Sequence, residues 1–207
     1  MTNSPLADAK FENIELKDGR IALKSDPGRS LSIVEVMHAA DLSEIVEDGK
    51  VSPDLLQMMK YISYTHSAVF AEVRVDKDLG VVRVTRIVCA TAAGRILNPK
   101  TARSQILGGV VMGIGMALHE EAMTDHRLGK IMNHNFAEYH IPAHADIEDI
   151  EVIFVDEHDE KVSPLGVKGL GEIGIVGTAA AVANAIFHAT GKRVRDFPIT
   201  IDKLLTV

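Results

Sequence analysis

Between Gly166 and Gly174 the chain reads Gly-Val-Lys-Gly-Leu-Gly-Glu-Ile-Gly and then enters an alanine-rich run. Glycine serves where backbone must turn sharply or approach another group closely. A segment this rich in it reads as a loop that leads into the helix of the alanine-rich run. One acid, Glu172, and one base, Lys168, stand among the glycines. A glutamate at the centre of such a loop reads as a carboxylate presented to a bound group.

At 207 residues the chain has room for one sizeable core or two small lobes. Aromatic residues make up only 4% of it and Trp is absent, so Val, Ile, Leu, Ala and Met must build that core. A formal net charge of -7, with no basic block, argues against a nucleic-acid partner, because such binders need clustered cations to displace counterions. A single cysteine, Cys89, excludes an intrachain disulfide and any CxxC metal centre. At a strand end it reads as a small buried hydrophobe. The N-terminus has no apolar signal segment, and the longest apolar run, Ile106 to Leu118, is too short to span a bilayer. No membrane partner is expected.

Along the chain, residues 1–10 are polar and read as a disordered tail, leaving 11–207 as one domain. Ile14 to Leu23 alternates around Asp18-Gly19, a hairpin signal. Ser30 is placed to cap a short helix carrying Leu31, Ile33, Val34, Val36 and Met37. Ala39 to Ser52 is acidic and loop-like, and Pro53 to Tyr61 suits a helical turn or two. From Ala68 to Val88 two alternating runs flank Asp78-Leu79-Gly80, the clearest hairpin of the sequence. Gly94 and Asn98-Pro99 break a loop from Ala92 to Lys100. Thr101 to Ala122 reads as a long helix despite Gly108, Gly109, Gly113 and Gly115, each costing roughly 1 kcal/mol there. Such a cost is tolerable where another element packs unusually close, which is the reading for Gly113 and Gly115. After a polar loop to Pro142 come a strand, Glu151 to Val155, then the glycine loop, and then a helix, Thr178 to Ala189, closed by Gly191. Early strands with interspersed helices predict an α+β fold with mixed or antiparallel sheets and packed helices.

Gly169-Leu-Gly-Glu-Ile-Gly174 matches the dinucleotide fingerprint G-x-G-x-x-G literally, but that motif needs a strand directly before it and a βαβ unit around it. Here Glu157 to Ser163 intervenes and little chain follows the helix, so a Rossmann-like dinucleotide binder is the weaker alternative. A purely structural glycine turn is a second bland reading. A ligand loop is favoured, since backbone amides flanked by Lys168 and Glu172 suit an anion at a helix start. Gln105, beside the Asn98-Pro99 loop, carries an amide able to bind a polar ligand. His134, His140 and His144 follow no metal-ligand spacing, no HExxH occurs, and no nucleophile motif is present.

Taken in order, these motifs resemble the C-terminal part of the molybdenum-binding subunit of the xanthine dehydrogenase and aldehyde oxidase family, and within it bacterial aldehyde oxidoreductases with separate subunits. The resemblance runs from Asp18-Gly19-Arg20 to Leu205. It rests on Thr65-His-Ser-Ala-Val-Phe70, Gly94-Arg-Ile-Leu-Asn-Pro99, Gln105-Ile-Leu-Gly-Gly109, Gly113-Ile-Gly-Met-Ala-Leu118, Tyr139-His-Ile-Pro142, and Lys168-Gly-Leu-Gly-Glu172 followed by Ala183-Asn-Ala-Ile186.

The resemblance implies a molybdenum-cofactor-binding domain that oxidises aldehydes, or N-heterocycles, as part of a heterotrimer. Glu172 would be the general base, taking the proton of a Mo-bound hydroxyl whose oxygen attacks the substrate carbon while hydride passes to the Mo=S sulfur. Arg95, Ile96, Leu97, Asn98, Pro99, Lys100 and Thr101 would wrap the nucleotide end of a molybdopterin cytosine dinucleotide, with Arg95, Lys100 and helix-start amides near Thr101 facing its pyrophosphate. Gln105 would bind the pterin or its phosphate, and Lys168, Gly169, Leu170 and Gly171 would line the pterin-proximal side. Molybdenum would be held through the pterin dithiolene, with no protein ligand. Iron-sulfur clusters and FAD would sit on partner subunits and carry the electrons away. Ala92-Ala93-Gly94 stands where many relatives have Asp-Cys-Gly, and Met112 where many have Gln; Met112, with Ile173-Gly174 after the glutamate, points to the aldehyde branch.

Family catalytic subunits are several times longer, and their upstream part supplies much of the cofactor cavity. By itself the chain is therefore expected to lack turnover. The competing reading is a cofactor-free remnant or assembly module. A cytoplasmic home is expected, or a periplasmic one if a partner subunit carries the export signal.

Overall fold

In the computed structural model, which describes residues 4–49 and 55–205, the chain divides into two units, Met1–Ser52 and Pro53–Val207. The first is built on the Asp18-Gly19 turn. Both residues have positive φ, 49° and 71°, and they fold β1 (Ile14–Lys17) onto β2 (Arg20–Leu23) as expected. β3 (Asp26–Ser32) completes an antiparallel three-stranded sheet in the order β1-β2-β3. Helix α1 (Ile33–Ala39) starts at Ser32, two residues later than the expected cap at Ser30. Ser32 and Glu35 form a capping box: Ser32 Oγ accepts from the Glu35 amide at 3.1 Å, and the Glu35 carboxylate accepts from the Ser32 amide at 2.7 Å. Ser30 lies instead in β3 opposite Ala22, where its Oγ accepts from Arg20 Nε.

The second unit opens with a short helix, α2 (Leu55–Lys60), within the span read as helical; Pro53 and Asp54 lie outside the described residues. β4 (His66–Asp76) and β5 (Val81–Ala92) then form the hairpin read from the sequence, with a longer register, from Asp76↔Val81 to His66↔Ala92. Along β4 exposed and half-buried residues alternate without a break. β5 carries a bulge at Thr85, where the register steps from Glu72↔Arg86 to Val73↔Val84. The Thr85 hydroxyl donates to the Glu72 carboxylate at 2.6 Å.

α3 (Pro99–Leu118) begins two residues before the expected start and ends four before the expected finish. At its start Asn98 caps and Pro99 occupies the first helical position, where its fixed φ and missing N–H are an advantage. At its end the amides of His119 and Glu120 both donate to Gly115 O at 2.9 Å, which turns the chain out of the helix. A two-residue hairpin, β6 (Thr124–Asp125) with β7 (Lys130–Ile131), falls in the stretch read as loop. β8 (Ile150–Phe154) joins β5 in parallel, giving a mixed sheet β4-β5-β8. A short α4 (Ile173–Val176), then α5 (Thr178–Thr190) and α6 (Ile201–Leu205) complete the unit; α4 and α6 were not anticipated. Gly191, in left-handed backbone at φ 75°, ends α5.

The architecture is α+β, with mixed and antiparallel sheets against helices. Its core joins Ile87 and Cys89 of β5, Ile106, Val110 and Ile114 of α3, and Val182 and Ile186 of α5, all buried. Cys89 is the buried hydrophobe expected, and desolvation pushes its thiol up. The span Ile173–Thr190 is apolar enough by composition to cross a bilayer. Gly177 interrupts it between α4 and α5, and Thr178, Ala179, Val182 and Ile186 along it are buried.

Candidate functional site

Two helices meet backbone to backbone at the site. A Cβ built on Gly109 of α3 would stand 2.9 Å from Ile175 N, and one on Gly174 of α4 would stand 2.7 Å from Ile106 O. Side chains at these positions would drive the helices apart. One turn further on, a Cβ at Gly113 would lie 2.5 Å from Thr178 Cβ, and at Gly115 it would meet Glu120 and Pro142. Both are packing glycines, as the sequence suggested. Thr178, fully buried, donates its hydroxyl to Gly174 O at 2.7 Å and ties α5 to α4.

The effect is to seat Glu172, the N-cap residue of α4, beside α3. Its side chain makes no capping hydrogen bond. Glu172, Gly171 and Ile175 face Ser104, Gln105, Gly108, Gly109 and Met112 across a cavity of about 260 Å³. Gly108 behaves unlike its neighbours: a Cβ there would meet nothing within 4 Å. Its lack of a side chain leaves open space on the cavity wall rather than room for a packing partner.

Gln105 also borders a second cavity, of about 220 Å³, with Arg95, Ile96, Leu97, Asn98, Thr101, Ala102, Val167 and Leu170. One amide side chain thus lies between the Glu172 end and the Arg95–Thr101 loop. That loop is braced internally. Asn98 Oδ1 accepts the amides of Lys100 and Thr101 at 3.1 and 3.2 Å, so these helix-start donors, offered by the sequence to an anion, are engaged by the protein itself.

The loop is also fastened to the glycine segment. Gly94 bridges Val167 in antiparallel fashion, Arg95 N donates to Gly166 O at 2.7 Å, and Lys168 N donates to Ala93 O at 3.2 Å. Gly94 is required twice over here: its φ is +64°, and a Cβ would stand 2.2 Å from Gly166 O.

Of the residues singled out from the sequence, Arg95, Ile96, Leu97, Asn98, Thr101, Gln105, Leu170, Gly171 and Glu172 line one or both cavities. Pro99, Lys100, Lys168 and Gly169 border neither. Gly169 turns its carbonyl to Thr65, whose hydroxyl donates at 2.6 Å. Lys168 points into the protein, its side chain 7% exposed, with Nζ 2.6 Å from Glu157 and 3.0 Å from Asp159. These carboxylates hold its ammonium above the usual lysine range, Glu157 foremost. Glu157 and Asp159, in turn, are held below theirs by Lys168 first of all.

Ser104, Gly108 and Met112 were not singled out as lining residues, although with Gln105 they share one helix face by spacing alone. Among the described residues no group of three or more His, Cys, Asp or Glu side chains is placed to hold a metal ion. Nor is the glycine segment part of a dinucleotide βαβ unit: β8 ends at Phe154, well before it, and no strand follows α5 among the described residues.

The comparison with known proteins specifies the class of domain to which this fold and these two cavities belong. The profile of the molybdopterin cofactor-binding domain family matches residues 2–148. The aldehyde oxidoreductase molybdenum-binding subunit PaoC of Escherichia coli K12 is 46% identical over 196 residues, 94% of this chain and 26% of that one. The xanthine dehydrogenase molybdenum-binding subunit of E. coli O157:H7 is 33% identical over 192 residues, 93% of this chain and 25% of that one. Among solved structures, the Cu,Mo-CO dehydrogenase superposes with a TM-score of 0.76 over 97% of this chain and 25% of its own, at 20% identity, a likeness of fold. The chain belongs to the molybdopterin cofactor-binding family. It spans about a quarter of the length of the curated relatives it matches.

Proposed function

We propose that this chain forms the base-bearing wall of a molybdenum-cofactor site and that, joined to the upstream part of a molybdenum subunit, it oxidises aldehydes to carboxylic acids. The observation that carries this reading is the position of Gln105, which borders both the Glu172 cavity and the Arg95–Thr101 cavity. Two cavities that share one lining amide suit an extended ligand with a reactive head and a nucleotide tail. The open wall at Gly108, where a Cβ would meet nothing, fits a bulky ring system.

Bound there, the cofactor supplies two-electron oxidation chemistry. The chain's own residues do the rest. Gln105 hydrogen-bonds the pterin or its phosphate through its carboxamide, which both donates and accepts. Arg95 offers a guanidinium to a pyrophosphate, the bidentate pairing for which that group is suited. Asn98 keeps the loop in shape by holding the Lys100 and Thr101 amides. Leu170 and Gly171 bring backbone close to the ligand. Glu172, presented by α4 and free of any capping duty, takes a proton at its carboxylate as the substrate carbon is oxidised.

The cytosine dinucleotide is the form of cofactor proposed, with iron-sulfur and FAD subunits as electron-carrying partners. Support for the substrate class is the 46% identity to an aldehyde oxidoreductase subunit. The experiment is to purify the chain from its own source with whatever accompanies it and measure molybdenum and acid-released cytosine nucleotide. Near-stoichiometric amounts of both support the assembly; neither, in a stable preparation, leaves the cofactor-free module in its place.

A further inference from the structure

The residues that fasten the two halves of the site lie outside both cavities. Glu157 uses both oxygens: Oε2 accepts the Gly94 amide at 2.6 Å and Oε1 accepts from Lys168 Nζ at 2.6 Å. Asp159 takes the same ammonium at 3.0 Å, while its Oδ1 accepts the amides of Lys161 and Val162. The three side chains are largely withdrawn from solvent, at 7%, 26% and 21% exposure for Lys168, Glu157 and Asp159. Gly94 opens the loop that lines the Gln105–Arg95 cavity, and Lys168 opens the segment that ends in Glu172. One carboxylate therefore grips the start of each.

We infer that Lys168, Glu157 and Asp159 form an ionic clip that sets the base-bearing segment in register with the cofactor loop, so that Lys168 is a positioning residue rather than a cation offered to the cofactor. The inference rests on the functional reading above for the roles of the two segments, while the clip itself is a statement about this chain alone. An ammonium held between two carboxylates is already neutralised, and the cluster carries net negative charge, which makes it a poor ligand for a phosphate, while removing one partner leaves a charge uncompensated. The main-chain bonds between 93–95 and 166–168 give direction to the contact; the clip keeps them closed.

The test is amide hydrogen exchange followed by mass spectrometry on the full chain, comparing wild type with Lys168→Met, Lys168→Arg and Glu157→Gln. Lys168→Met is expected to speed exchange by about tenfold in the peptides covering 93–101 and 166–174 together, with α5 unchanged. Lys168→Arg, which keeps the charge, restores protection in part. Glu157→Gln produces the same paired pattern and serves if Lys168→Met also loosens α5. Faster exchange in 166–174 alone, or in neither segment, overturns the clip. In the purified assembly, Lys168→Met and Glu157→Gln are expected to lower molybdenum and nucleotide content alike, and the double variant is no worse than either. A content loss confined to Lys168→Met, with Glu157→Gln normal, means that the ammonium touches the cofactor directly. A wild-type assembly without cofactor defeats the functional reading yet leaves the exchange result to decide the clip.

Discussion

Gly109 and Gly174 face each other across the α3–α4 contact with no side chain between them, and each stands where a methyl would strike the opposing backbone. The position of Glu172 follows from this contact, because α4 begins at that residue. Close approach of two helices is here the means by which a carboxylate is brought to the cavity wall.

Substitutions at adjacent glycines should therefore differ in sign. Gly109→Ala is expected to destabilise the chain by about 1–3 kcal/mol through overpacking. Gly108→Ala is expected to stabilise it by up to about 1 kcal/mol, the helix-propensity gain of alanine over glycine, because its methyl meets nothing. The same methyl narrows the cavity, so the Gly108→Ala assembly should hold less molybdenum. Urea midpoints and metal content measured on both variants check the pair.

Glu172→Gln should lower turnover in the full assembly by about 10²–10⁴-fold, the range for losing a general base, with molybdenum content unchanged. Wild-type turnover in that variant removes Glu172 from the proton-transfer role.

Arg95→Ala should leave the fold intact, since Arg95 is exposed and its amide, not its side chain, bonds Gly166. It should reduce nucleotide retained after dialysis, with the gap to wild type widest at low salt and narrowing at high salt, where the contact is already screened. Equal retention across salt would argue against a pyrophosphate contact.

The clip predicts a pH dependence. Glu157 and Asp159 are held below the ordinary carboxylate range, by Lys168 first and then by the Gly94 and Lys161 amides respectively. Their stabilising contribution is present above the unfolded carboxylate values of about 4 and is lost as pH falls through the lower folded values. Lys168 is held above its usual range, so its contribution is present below about 10.4 and is lost as pH rises through the higher folded value. Urea midpoints of wild type and Lys168→Met should differ most near neutrality and converge as the solution is acidified below about pH 4. A gap that stays constant down to pH 3 contradicts the assignment.

Much of this was legible from local chemistry. Asp18-Gly19 and Asp78-Leu79-Gly80 announced their hairpins, and Glu172 and Gln105 stood out by their neighbours. Two boundaries were misplaced although the signals were present: Ser32-x-x-Glu35 is a capping box, and Asn98-Pro99 is a cap followed by a first-turn proline rather than a mere break. What could not be read was tertiary. β8 pairs in parallel with β5, a partner that no turn specifies. In sequence Lys168 stands only as a base in a ligand loop, and nothing local announces that Glu157 and Asp159 will be brought around it. Gly108 and Gly109 are indistinguishable in sequence, and only the position of α4 gives one a cavity and the other a contact.

The bridge between Gly94 and Val167 also bears on the order of events in folding. It closes a long loop holding all of α3 and β8, whereas the β4–β5 hairpin closes over a short turn. The entropy of closing a long loop must be met before such a contact rewards the chain. On that argument the hairpin and α3 are expected to form before the site does. Conditions too mild to melt the sheet should open the Gly94–Val167 seam first, separating Glu172 from the Arg95 loop while the core around Ile87 and Ile106 stays folded.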